Sequence, residues 1–188
     1  MKSKKNTFVS RAAVGCVTTA IFLLLCIIKG IYPFGIATLD TVDFQSQWIP
    51  AYYHVWDVLH GDGSAFFDWR VGGGNNFAGV SAQFSLFSPF NLFFLFVKRS
   101  WIEKSMIVFL LIKLLAMGYG MRWFLKEQIL KEERYGIYIL AGSVGYAVNG
   151  YTLLYYGMGW LDVAAILPLL CYFFCRMAER EGDWRLGK

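Results

Sequence analysis

The chain has 188 residues, of which 57% are hydrophobic and 19% aromatic, and its mean hydropathy is +0.46. These values exclude a soluble globular domain and place the chain among polytopic membrane proteins. The net charge of +5 does not point to nucleic acid, because Lys and Arg sit in short clusters beside apolar runs and not along one polar face.

In chain order, the first predicted span is Ala12 to Ile31, preceded by Lys2, Lys4, Lys5 and Arg11. About 20 helical residues cover roughly 30 Å, the thickness of a bilayer core. The apolar stretch is longer than that of a signal peptide and no small-x-small cleavage pattern follows, so it reads as an uncleaved signal anchor.

A long polar connection, Tyr32 to about Lys104, comes next. It holds Asp40, Asp43, Asp57, Asp62 and Asp68, a carboxylate-rich patch at a membrane surface. Trp48, Ile49, Tyr52, Tyr53, Val55, Trp56 and Leu59 predict an amphipathic helix at headgroup level after Pro50, ended by Gly61-Asp62-Gly63-Ser64. Phe84 to Val97 is apolar but short for a span and is interrupted by Pro89 and Asn91, which predicts an interfacial or re-entrant helix.

Three further spans follow at Ser105 to Phe124, Tyr135 to Tyr156 and Leu161 to Met177. The resulting fold class is all-α integral membrane, four transmembrane helices with a long first extracytoplasmic loop, in a single membrane domain. With four spans the basic N-terminus, the connector with Arg122, Lys126, Lys131 and Arg134, and the tail with Arg176, Arg180, Arg185 and Lys188 share the cytoplasmic side. Lys98, Arg99 and Lys104 are the exceptions, on the outer side. Ala116 with Gly120, and Ala141 with Gly145, are spaced to let helices approach closely.

Cys16, Cys26, Cys171 and Cys175 all lie in apolar segments, where thiols act as small hydrophobes, and no disulfide framework is implied. Lys113 falls near the centre of the second span, where a charge costs roughly 2.5–3.5 kcal/mol on insertion scales. It is expected to face the bundle or a wet cavity, against a lipid phosphate or a partner in further spans. Asp162 is placed near the outer end of the fourth span, beside Trp160, as a site residue or an interfacial boundary. His54, with Asp57 one turn on, reads as a polar boundary residue or a substrate contact. Arg70 beside Gly72 to Gly74 suits phosphate binding, with a plain glycine turn as the other account.

The run Thr41-Val42-Asp43 with Gln47, then Trp69 with Gly72-Gly73-Gly74-Asn75, then Ser88-Pro89-Phe90-Asn91-Leu92, resembles the N-terminal part of the bacterial YfhO-like membrane protein family. Gly142 to Ala147 with Gly150, and Ile166-Leu167-Pro168-Leu169, continue the likeness in the same order. The resemblance implies a glycosyltransferase of the GT-C type in the bacterial cell membrane, with its site on the outer face. The implied partners are membrane lipid, a polyprenyl-phosphate sugar donor and a cell-wall polymer acceptor such as lipoteichoic acid. Family members are much longer, which makes this chain an expected N-terminal portion.

On that basis Asp43 is the first candidate for the catalytic base, taking the proton of an acceptor hydroxyl, with Asp40 beside it. The two carboxylates could bind a divalent cation or split their pKa values; no cofactor is otherwise implied. Gln47, Arg70, His54 and Asp162 are the candidate substrate contacts. The alternative function is a non-catalytic transporter- or flippase-like scaffold for lipid-linked sugars, although no internal repeat supports a transporter.

Overall fold

The computed structural model of the chain describes residues 2–39, 43–80, 87–130, 132–155 and 160–186. Its helices are α1 Lys2–Ile28, α2 Ile49–Leu59, α3 Phe77–Val80, α4 Ile102–Phe124, α5 Gly136–Ala147, α6 Gly150–Leu154 and α7 Trp160–Leu186. Two short strands, β1 Phe67–Asp68 and β2 Asn75–Asn76, pair antiparallel with Phe67 opposite Asn76.

Four stretches are long and apolar enough to cross a membrane: Arg11–Ile28, Arg99–Ile129, Gly136–Leu154 and Leu161–Glu179. They coincide with the four expected spans, and the chain is an all-α multi-pass membrane protein. Leu24, Ile27 and Ile28 on α1, and Leu170, Phe173 and Phe174 on α7, are exposed. Such surfaces are costly in water and are satisfied by lipid.

The segment expected to lie at the interface does not form a spanning helix. Residues 84–86 lie outside the described residues, and Pro89–Phe96 is an eight-residue 3-10 helix. At about 2 Å per residue it covers roughly 16 Å, half a bilayer core. Ser88 caps it, its Oγ accepting from the Phe90 N–H at 3.1 Å, and Pro89 takes the first helical position, where no N–H is needed.

The described residues form two compact units. The first comprises Met1–Phe22, Leu114–Leu153 and Val163–Lys188. Glycines on α4 set its spacing. A Cβ on Gly118 would lie 3.3 Å from Val14 Cγ1 and 3.6 Å from Ala147 Cβ, while one on Gly120 would lie 3.5 Å from the Ala165 carbonyl oxygen. Gly120 therefore serves the close approach expected of it. Gly145 does not: it faces open space, and Ala141 is exposed as well. The Tyr146 hydroxyl donates to the Ala164 carbonyl at 2.7 Å, joining α5 to α7.

The third span is broken, not continuous. Between α5 and α6 the Asn149 amide donates to the Tyr146 carbonyl at 2.7 Å, and its Oδ1 accepts from the Thr152 N–H at 2.9 Å. An Asx side chain that restarts a helix in this way replaces the backbone bonds lost at the break.

The second unit comprises Leu23–Lys113 and Leu154–Asp162. Its core is aromatic: Tyr52 of α2, Phe94 of the 3-10 helix and Phe109 of α4 meet pairwise, with ring centroids 5.0 to 5.3 Å apart. Phe94 is fully buried. The Trp56 indole N–H donates to the Val97 carbonyl at 2.7 Å, fixing α2 against the end of the 3-10 helix. One face of α2 is thus committed to the core. The residues between, His54 and Asp57, turn toward a polar cleft.

Candidate functional site

A cleft of about 670 Å³ opens in the second unit, lined among others by Gln45, Gln47, Tyr53, His54, Asp57, Arg70, Arg99 and Glu103. Its organising group is Asp57, only 6% exposed although it is a carboxylate. Arg99 Nε donates to Asp57 Oδ1 at 2.8 Å and Arg99 Nη2 to Oδ2 at 3.3 Å, the two-point match of a guanidinium with a carboxylate. Arg70 Nη1 donates to the same Oδ2 at 3.4 Å. One buried acid thus orients two arginines whose side chains remain about half exposed to the cleft.

Arg70 is held from the other side by Asp68, with Nη2 to Oδ2 at 2.7 Å and Nε to Oδ1 at 3.0 Å, and Nη2 also donates to the Asp62 carbonyl at 2.7 Å. The hydrogen bonds from Arg99, opposed in part by burial, hold the Asp57 carboxyl below its ordinary value. Those from Arg70 hold the Asp68 carboxyl far below the usual carboxylate range. Both depressed groups stabilise the folded state at pH above the ordinary carboxylate value, and that contribution is lost only as pH falls through their lower folded values. The network is therefore intact at neutral and mildly acid pH.

His54 is buried with its ring edge on Phe77, centroids 4.0 Å apart. Its Nε2 lies 3.1 Å from the Ser64 carbonyl oxygen, which can only accept, so Nε2 carries a proton. Nδ1 then faces Asp68 Oδ2 at 4.0 Å, too far for a hydrogen bond. At the opposite wall the Tyr53 hydroxyl donates to Glu103 Oε1 at 3.3 Å, and the Arg99 guanidinium lies 4.9 Å above the Tyr53 ring. Burial, then the Glu103 charge and hydrogen bond, push the Tyr53 hydroxyl upward.

Of the residues singled out from sequence, Gln47, His54 and Arg70 meet in this cleft. Asp43 is exposed and opens the π-helical turn Phe44–Trp48, which carries Gln45 and Gln47 into the lining, without itself lining the cleft. Asp40 lies outside the described residues. Asp162 is elsewhere in the unit, buried, with Oδ1 2.7 Å from Lys113 Nζ. That pairing replaces both partners expected for Lys113. Among the described residues, no three His, Cys, Asp or Glu side chains are grouped to hold a metal ion.

Gly72, Gly73 and Gly74 have φ of 55°, 78° and 109°, a left-handed turn that glycine adopts readily, with Gly72 at the cleft wall. Sequence reasoning missed the central roles of Asp57, Arg99 and Glu103. The usable signal was Arg99, a basic residue on the side where the charge rule expects few: a cation out of place in that pattern invites a search for the acid that holds it.

A family model described as bacterial membrane protein YfhO matches residues 15–182. No curated protein and no solved structure matches the chain.

Proposed function

The chain belongs to the family of bacterial membrane protein YfhO, and from that premise we propose that it is a membrane glycosyltransferase, or the N-terminal part of one, working on the outer face of the bacterial cell membrane. The donor is a polyprenyl-phosphate sugar and the acceptor a cell-wall polymer such as lipoteichoic acid. In the transfer, the bond between the anomeric carbon and the phosphate oxygen breaks, and the acceptor hydroxyl oxygen takes its place on that carbon. The hydroxyl proton passes to Asp43, and the lipid phosphate departs with the electron pair.

The observation that carries this reading is the cleft organised by Asp57. Its charged groups are largely paired with one another, so it offers directed hydrogen bonds and little net field, which suits a hydroxyl-rich headgroup. Gln45, Gln47 and Tyr53 are the groups for sugar hydroxyls. Arg99, half exposed, is the group to meet the departing phosphate, and Asp57 is a positioning residue that aims it. One observation favours the scaffold alternative: Asp43 does not line the cleft.

The test is transfer from a polyprenyl-phosphate sugar to wall polymer by the full-length protein. Arg99→Gln is expected to lower it about 100-fold, the usual loss for one donor to a developing anion. Unchanged transfer would remove the cleft from the reaction.

The orientation belongs to the same proposal: both termini cytoplasmic, and residues 32–104 outside. In a background without the four native cysteines, a membrane-impermeant thiol reagent added to intact cells should modify Ile36→Cys, which replaces a fully exposed side chain, and spare Glu132→Cys. Modification of the second and protection of the first would invert the topology.

A further inference from the structure

The β1–β2 hairpin carries an aromatic surface that neither the spans nor the cleft uses. Phe66, Phe67 and Trp69 are 73%, 49% and 77% exposed. Phe67 and Trp69 meet edge to face, centroids 5.2 Å apart and planes at 89°. Gly74 lies against both rings: a Cβ there would come 2.7 Å from Trp69 Cε3 and 3.2 Å from Phe67 Cζ, and its φ of +109° is one that side-chain-bearing residues rarely adopt. The indole is therefore held by a neighbouring ring and by backbone that only glycine supplies, while most of its surface faces outward. A flat apolar surface fixed in advance loses little entropy when something stacks on it.

The surroundings decide what stacks. Among the described residues, the large apolar side chains exposed between Gly61 and Gly79 are aromatic, whereas those exposed on α1 and α7 are largely aliphatic. Aliphatic surface suits lipid. A π face, negative at its centre, suits the C–H groups that a pyranose ring presents on one side. The Asp68 carboxylate, 10% exposed, is bound to Arg70, and Arg70 is taken up by it, by the Asp62 carbonyl and by Asp57. Arg70, the cation next to the platform in the chain, is thus already held by acids and a carbonyl, so an anionic headgroup or phosphate-linked sugar gains little there, whereas an uncharged glycan needs no cation. The next residues in the chain, Arg70, Val71 and Gly72, line the cleft, so a glycan lying on Trp69 leads into it.

We propose that Phe67 and Trp69, fixed by Gly74, form a stacking platform for an uncharged stretch of glycan. The platform is tested by binding without turnover, apart from the glycosyl-transfer reading.

The full-length protein, labelled with fluorotryptophan and held in phosphatidylcholine nanodiscs, is titrated with chitohexaose, cellohexaose and maltohexaose. The Trp69 fluorine resonance is assigned by its loss in Trp69→Phe. A saturable shift of that resonance with at least one glycan is expected. Binding followed by calorimetry should weaken about tenfold in Trp69→Ala, the scale of one aromatic contact. Gly74→Ala, which keeps the indole but displaces it, should weaken binding similarly; should that variant lose its helical circular dichroism, Trp69→Ala carries the test. No saturable shift with any of the three glycans would overturn the proposal. So would broadening of the Trp69 resonance by spin-labelled lipid, which would make the hairpin a membrane anchor. Glycan binding by a protein that transfers no sugar would uphold the platform and refute the transferase reading.

Discussion

Lys113→Met is expected to destabilise the protein by about 3–5 kcal/mol, because it leaves a buried carboxylate without its counter-ion. Lys113 is 2% exposed and Asp162 6%. Lys113 Nζ stands 2.7 Å from Asp162 Oδ1 and 4.5 Å from the centre of the Phe109 ring. Asp162 Oδ2 is buried with no hydrogen-bond partner among the described residues. Among the described residues, the acid depends on this one lysine.

Asp162→Leu alone should be as harmful, since an unpaired lysine is then left in the same apolar place. The double variant Lys113→Met/Asp162→Leu should recover most of the loss, because well-packed apolar residues commonly replace a buried ion pair at little cost. Thermal unfolding in detergent reads all three; at roughly 2–4 °C per kcal/mol, each single variant should fall on the order of 10 °C. Single variants that unfold like the parent would show that the charges reach water. A double variant as unstable as the singles would show that the pair holds more than itself.

The same pair shows where the sequence is legible and where it stops. The four spans were readable because a bilayer demands an apolar run of fixed length, and length is visible in one dimension. Lys113 was readable as an anomaly for the same reason. Its partner was not, because Asp162 was placed at an outer end and Lys113 near a midplane. The span that contains Lys113 runs 31 residues, Arg99–Ile129, and not the shorter stretch expected from Ser105. At about 1.5 Å per residue that is roughly 46 Å, well beyond a hydrocarbon core of about 30 Å, so its midpoint does not fix a depth. The acid and the lysine can then meet.

The cleft was half legible for a different reason. Gln47, His54 and Arg70 were recognisable by residue type in an acidic loop, and the glycine turn by its three consecutive glycines. Asp57 looked like one turn's company for His54. Its real partner, Arg99, is 42 residues away and joined only through the fold. Pairings at that separation depend on how α2 packs against the 3-10 helix through Trp56 and Val97 and the Tyr52, Phe94 and Phe109 cluster, and no local periodicity encodes them. Likewise, the Ala141 and Gly145 spacing had the right period, but period alone does not say which face of a helix meets a neighbour.

Asp43→Asn is expected to lower sugar transfer by a factor of about 100 to 10,000, the usual contribution of a general base, while leaving folding intact. The side chain is exposed and makes no capping hydrogen bond at the start of the π-helical turn, so among the described residues exchanging its charged oxygen for an amide removes no cap. Asp62→Asn is the matched control. Asp62 is also an exposed loop acid, and its grip on Arg70 is through the backbone carbonyl, which the substitution keeps. It should change transfer little. Both variants are measured in the full-length protein at equal membrane level, with a polyprenyl-phosphate sugar and wall polymer. Near-normal transfer by Asp43→Asn would take that carboxylate out of the mechanism and move the search to Asp40, since Asp162 is committed to Lys113. If the unmodified protein transfers no sugar from any donor, the same loop and cleft are a scaffold for lipid-linked sugars, and only the shape of the Phe44–Trp48 turn, not the charge at its start, would then matter.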